Sequence, residues 1–374
     1  MSIITSIRFE ALSAPVARPY GMAKGLAAAR QSTIVVIETR DGIQGIGEAW
    51  GAPAVNLANL PLLRDYIEGR DIADVELAFQ LIIARHYHFG LQNQMIACLS
   101  GIDIAAKDAL GKKTGLPLCR LLGGRGAERL PVYASGGYIT ETPDKDFAPQ
   151  LEAMTGHRAA KIKIGLHPAS DEARTRLARK ILGDEVELFV DINANYTLDT
   201  ARASIARLAK YHVGWIEEPL APQDFEGYRQ LRMASPVPIA TGEALYTAFD
   251  FKRLLDGHGV DVVQPDLTLC GGFWQGRRIA DLAELAHVRL SPHVWGSGIG
   301  LAAAAHYVAA RSPYPHADNV PYPTLIEYDV GDNPLREHIL ATPIVAAAGM
   351  IEVPAGPGLG IELDWKAVRH YAAN

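Results

Sequence analysis

Apolar residues recur along most of this chain in short runs, each closed by a polar or charged residue and followed by an amphipathic stretch. From residue 129 the pattern becomes periodic. Arg129-Leu-Pro-Val-Tyr-Ala-Ser, Ala160-Lys-Ile-Lys-Ile-Gly165, Val186-Glu-Leu-Phe-Val-Asp191, Val213-Gly-Trp-Ile-Glu217 and Pro238-Ile-Ala-Thr-Gly-Glu243 read as strands. Val260–Asp266, Val288–His293 and Thr324–Asp329 continue the series. Strand, helix and two loops take roughly 25–30 residues, the period of a parallel β/α barrel. The expectation is an α/β fold, a modified (β/α)7β TIM barrel over residues 129–330. Residues 1–128 do not follow this period. Met1–Ala11 and Ser32–Arg40 alternate as strands around the turn Asp41-Gly42, and Gly45–Gly51 adds a further strand and a loop. Apolar residues at three- and four-residue steps predict a helix over Asn93–Thr114. This is an α+β capping domain ahead of the barrel. The segment 331–374 leaves the barrel pattern and is expected to pack back on that domain.

Composition narrows the class. At 374 residues the chain exceeds one ordinary core, so two domains are expected. A net charge of −6 with mixed signs offers no basic patch, which argues against a nucleic-acid partner. The longest apolar stretch, Ile299–Ala310, is broken by His306 and is too short to span a bilayer, so no membrane partner is expected. The first residues lack the charged-then-apolar pattern of a signal peptide. Cys98, Cys119 and Cys270 are odd in number and far apart, which fits a reducing compartment. A cytoplasmic protein, forming a homo-oligomer, is the expectation.

Asp191, Glu217 and Glu243 stand 26 residues apart, each at the end of its run. Barrel enzymes keep their chemistry at the C-terminal mouth, and three carboxylates converging there repel unless a cation sits among them. The polar residues closing the runs are Lys163, Asp191, Glu217, Glu243, Asp266, His293 and Glu327. A strand-terminal Asp is often only a helix cap, and a lone His is often a satisfied core residue. Seven in succession, all able to act as ligand, acid or base, exceed that explanation. Lys161 and Lys163 lie two apart and share a face, so two ammonium groups enter one space and at least one pKa is expected to fall. A lysine neutral near pH 7 can act as a base. Asp266 and His293 end neighbouring strands, close enough for the carboxylate to orient the imidazole. Strand parity turns Glu218 away from Glu217 and outside the ligand set. Proton abstraction next to a carboxylate suits this inventory.

These residues resemble a known family. Lys161-Ile-Lys163, Asp191-Ile-Asn193, Ile216-Glu-Glu-Pro219, Gly242-Glu243, Gln264-Pro-Asp266, Pro292-His293 and Ile326-Glu327 are similar to the mandelate racemase subgroup of the enolase superfamily. Ser100–Gly111 with Leu121-Leu-Gly-Gly124 resembles its capping domain, and Gly356–Glu362 its tail. The resemblance implies magnesium (manganese as an alternative) on Asp191, Glu217 and Glu243. It implies Lys163 and His293 as bases on opposite faces, with Asp266 supporting His293. Lys161 and Glu327 would grip a substrate carboxylate, and Asn193 a hydroxyl or the reacting centre. Within the family the likeness runs to the D-galactarolactone cycloisomerase and acid-sugar dehydratase type. Asp266-Leu267-Thr268 lacks the lysine of lactonizing members. After Glu243, Ala244-Leu-Tyr246 stands where a Trp-containing pattern is expected of the cycloisomerases.

The substrate expected is a small carboxylate, an acid sugar or its lactone, undergoing β-elimination. A racemase or epimerase of a 2-hydroxy acid needs the same two bases, and a non-catalytic binding protein is the third reading. Tyr20, Trp50 and Trp295 are candidates to cover the substrate. Tyr20, Trp50, His86 and His88 read equally well as domain-interface packing. The glycines Gly296, Gly298 and Gly300 form a barrel loop rather than a phosphate-binding turn.

Overall fold

The computed structural model describes residues 1–312 and 323–373. The chain opens with an antiparallel meander of β1 (Ile4–Met22), β2 (Gly25–Thr39) and β3 (Gln44–Ala49). The first two strands run much further than Met1–Ala11 and Ser32–Arg40. Pairing continues past Pro15, slips in register before Tyr20, and closes at Met22 opposite Gly25. A proline donates nothing to a ladder, so the slip falls where the prolines sit. This carries Tyr20 out to the tip of a long hairpin.

Helices α1 (Pro53–Ile67), α2 (Val75–Arg85) and α3 (Gln94–Thr114) cover the sheet, and α4 (Leu118–Leu122) leads away from it. The Asn93 side chain caps α3 by accepting from Met95 N–H, and Gly115 ends it at φ 70°. At the crossing of α3 and β3 there is no room for side chains. A Cβ on Gly47 would lie 2.1 Å from the carbonyl oxygen of Gly101.

The barrel alternates β4 (Arg129–Gly136), α5 (Pro143–Ala153), β6 (Ala159–Lys163), α6 (Pro168–Leu182), β7 (Glu187–Asp191), α7 (Leu198–Leu208), β8 (Val213–Glu217), α8 (Phe225–Ala234), β9 (Ile239–Thr241), α9 (Thr247–Asp256), β10 (Val262–Val263), α10 (Gly272–Leu285), β11 (Arg289–Leu290), α11 (Gly298–Ala309) and β12 (Ile326–Asp329). A short β5 (Ile139–Thr140), inserted after β4, pairs with β1 at Tyr20 and Gly21. The eight parallel strands β4 and β6–β12 with seven helices make a (β/α)7β barrel. Among the described residues no backbone ladder joins β11 to β12. The seam is bridged by Ser291 Oγ donating to Leu325 O at 2.8 Å.

Inside, Tyr133, Phe189 and Trp215 form a buried, mostly apolar floor with Ala159, Ala240 and Val262. The Phe189 and Trp215 rings stack with centroids 3.4 Å apart. Two residues further along the same strands, on the same inward face, come Asp191 and Glu217. The tail supplies α12 (Pro334–Glu337), β13 (Met350–Glu352) and α13 (Trp365–His370). It pairs β13 with β4 and returns to the first sheet, where Ser13 N–H donates to Tyr371 O and Ala373 N–H to Ala11 O, both at 2.8 Å.

Candidate active site

Each strand end delivers its residue to one space at the C-terminal mouth. Lys163, Asp191 and Glu217 are the last residues of β6, β7 and β8, and Glu327 lies within β12. Glu243, Asp266 and His293 follow their ladders by two or three residues, because β9, β10 and β11 are short. Ligand oxygens of Asp191, Glu217 and Glu243 lie within 4.8 Å of one another. This all-oxygen donor set is the kind a hard divalent cation takes. Asp191 and Glu217 are fully buried. Burial and the surrounding carboxylates push Glu217 up to about 8 against the pull of Lys161, the expected result of crowding acids with one counter-charge. The residues fit a divalent ion.

Both lysines are buried and paired. Lys161 meets Glu217 and lies 2.8 Å from Glu327 Oε1, while Lys163 Nζ lies 2.5 Å from Asp191 Oδ2. The expectation of a depressed lysine pKa is corrected here. Burial pushes each ammonium down, but Glu217 and Glu327 around Lys161, and Asp191 beside Lys163, outweigh it and raise both above the ordinary lysine value. Like-charge crowding is outvoted by carboxylates. Asp191 responds in the other direction: burial raises it, and the two lysines hold it below the usual carboxylate range.

His293 Nδ1 lies 2.8 Å from Asp266 Oδ2, and Nε2 lies 3.4 Å from Glu243 Oε2 and 3.7 Å from Glu327 Oε2. Burial disfavours the imidazolium, yet Glu243, Glu327 and Asp266 carry its pKa up to about 10. Asp266 Oδ1 is held by Thr268 N–H and Oγ1, which orients the carboxylate toward the ring.

Asn193 is buried at φ 48°, its Oδ1 without a partner among the described residues and its N–H on Asp191 Oδ1. Trp295 is half-buried two residues past His293, its ring centroid 5.6 Å from Lys163 Nζ. Tyr20 packs on Tyr138 with centroids 4.7 Å apart and donates to Asp332 O. Trp50 is 40% exposed and joined by its N–H to Thr268 O, beside Asp266. His86 packs on Phe89 and Tyr66, all within the capping helices and their loop, while His88 is exposed beside Tyr87.

Three features escaped the sequence reading. The parity argument does not reach Glu218, because β8 ends at Glu217 and Glu218 turns at φ 41°. Its carboxyl is buried, with Oε1 unpartnered, and is raised by burial and then by Glu243. Glu217 Oε2 accepts from Trp215 Nε1 at 3.0 Å and Gln264 Nε2 at 2.7 Å, so that Oε1 faces Lys161. The Gln264-Pro-Asp266 motif contained that signal. The third is the capping sheet, which sends Arg30 and Glu48 to the loop after His293; no local pattern marks either.

A parallel barrel carrying three acids at consecutive strand ends, a Lys pair on one side and an Asp–His pair on the other, under an α+β cap, defines a class. Residues 145–367 match the enolase C-terminal domain-like family, and residues 4–123 match the mandelate racemase / muconate lactonizing enzyme N-terminal domain. The chain belongs to the enolase superfamily, in the mandelate racemase / muconate lactonizing enzyme group. It is 34% identical over 372 residues to D-galactarolactone cycloisomerase of Agrobacterium fabrum, covering 98% of each chain. Arabinonate dehydratase of Saccharolobus solfataricus is 31% identical over 90% of each. The crystal structure of 3,6-anhydro-D-galactonate cycloisomerase from Zobellia galactanivorans superposes with a TM-score of 0.89 at 31% identity over all of both chains. A racemase from Streptomyces coelicolor with bound magnesium superposes at 0.87 with 27% identity, covering 99% of this chain and all of that one. Among the described residues no helix is long and apolar enough to cross a membrane.

Proposed function

We propose that this protein is a magnesium-dependent enzyme that removes the proton α to a carboxylate of an acid sugar or acid-sugar lactone and expels the β-oxygen. The observation carrying this reading is that a lysine and an Asp-supported histidine stand on opposite sides of the acid triad. Lys163 and His293 project from β6 and β11, with four strands between them around the ring. Asp191, Glu217 and Glu243 would hold the magnesium ion, which would supply electrostatic stabilisation of the charge that develops on the substrate carboxylate. Lys161, at the same mouth, adds a fixed positive charge for that carboxylate. Lys163, held beside Asp191 at the mouth, is placed to exchange a proton with the substrate α-carbon. One of Lys163 and His293 takes the α-proton. The electron pair left on the α-carbon then breaks the β-carbon–oxygen bond, and a conjugate acid protonates the departing oxygen. With a ring oxygen as leaving group the product is an isomer; with a hydroxyl, water is released. Cycloisomerase and dehydratase relatives are the two outcomes of this one scheme.

Steady-state assays with magnesium on galactarolactone, galactarate, glucarate and mandelate test the reading. A semicarbazide-reactive 2-keto product from a lactone or aldarate is expected. Solvent deuterium entering the α-position with no such product would assign a racemase instead, as the same two groups permit. Turnover of mandelate alone would overturn the substrate assignment.

A further inference from the structure

The capping sheet reaches the loop after His293 with two buried charges. Glu48, on β3, is 1% exposed and accepts from Ser297 N–H, Ser297 Oγ, Gly300 N–H and Ser32 Oγ, at 2.6 to 2.8 Å for the closest oxygen in each case. It therefore caps α11 from outside the barrel, its carboxyl oxygens taking N–H groups at the start of a 12-residue helix. Arg30, on β2, is 5% exposed and sits over Trp295, its Cζ 3.7 Å from the ring centroid. Its Nη2 donates to Trp295 O at 3.1 Å and pairs with Asp329. Asp329 is fixed in turn by Tyr138 Oη at 2.5 Å and Gly331 N–H at 2.8 Å. Trp295 is thus held by its ring face and its carbonyl, from a strand that carries none of the reacting groups.

We infer that Arg30 is a positioning residue that sets the Trp295 indole as a wall of the substrate pocket, with Glu48 anchoring the same loop two residues on. The inference rests on the proposed function for its substrate arm. A planar guanidinium stacks on an indole while donating in its own plane to two oxygens; an ammonium cannot do all three. The indole is not itself a proton-transfer group, and its ring centroid stands 5.6 Å from the Lys163 ammonium, as a surface for the substrate chain, so its displacement acts first on binding.

Arg30→Met strips Asp329 of the cation paired with it and is exposed to misfolding, so Arg30→Lys, which keeps the charge, is the decisive variant. It should melt within about 5 °C of the wild type. KM for the acid sugar or lactone should rise roughly tenfold with kcat within about threefold. Trp295→Ala should raise KM similarly, and the double variant no further, because both act through one side chain. Without substrate, the emission attributable to Trp295, taken as each protein minus its Trp295→Phe form, should shift to the red in Arg30→Lys. An unchanged Trp295 emission overturns the positioning whatever the substrate. With a substrate in hand, an unchanged KM, or KM effects that multiply in the double variant, does the same. A wild type inert toward every acid sugar tells against the proposed function instead, and the fluorescence comparison then decides the inference by itself.

Discussion

Glu217 answers to four neighbours at once. Lys161 takes one of its oxygens, Trp215 and Gln264 share the other, and Asp191 crowds it from the next strand. The two neutral donors fix Oε2 and so turn Oε1 toward Lys161, setting the orientation of the carboxylate. Groups that hold a ligating carboxylate in place typically contribute 10- to 100-fold to metal affinity. Gln264→Ala should therefore weaken magnesium binding by roughly 10- to 100-fold, read by titration calorimetry on the purified protein. Its melting temperature without magnesium should stay close to the wild type. Unchanged affinity would show that Trp215 alone suffices.

At the scale of elements, α11 ties three parts of the chain together through one imidazole. His306 accepts at Nδ1 from Cys119 N–H of α4 at 3.2 Å, and its Nε2 lies 3.0 Å from Leu359 O of the tail. That pattern requires the neutral ring protonated at Nε2; a second proton on Nδ1 would face the Cys119 N–H. Burial accordingly pushes its pKa down to about 4, despite the Leu359 carbonyl. The unfolded chain binds this proton near pH 6.5 and the folded chain does not, so the stabilisation is complete above 6.5 and lost as pH falls toward 4. The loss is about 3 kcal/mol at most. Urea unfolding at pH 7 and pH 4.5 should show the wild type losing more stability than His306→Gln. Parallel losses in the two proteins would contradict the assignment.

At the scale of the molecule, cap and barrel are not energetically separate. One apolar cluster contains Leu12, Ile34 and Ile46 from the capping sheet, Val190 and Ile216 from the barrel, and Ile351 and Leu359 from the tail. Buried Asp103 of α3 accepts from Trp274 N–H of α10 at 3.0 Å. A shared core predicts joint unfolding: amides in β2 and in β7 should report the same largest opening free energy in native-state hydrogen exchange. A stable barrel outlasting an opened cap would refute it.

The barrel period, the seven strand-end residues and the capping α+β pattern were all readable from the order of residues, because each depends on spacing along one strand or one strand–helix unit. The same holds for the family, whose motifs are short and local. What only the tertiary structure decided is everything that depends on distance across the fold. It put Glu217 and Glu327, from two other strands, beside Lys161 and Asp191 beside Lys163, so that neither lysine shows the fall expected of at least one of them. It lengthened the first hairpin to Met22, because pairing with β2 at Pro15 and again from Tyr20 to Met22, not local alternation, carries the strand past the slip that contains Pro19. It also placed Arg30 on Trp295, 265 residues away in sequence. Spacing determines which face a side chain takes; only the folded chain determines which charges it meets there.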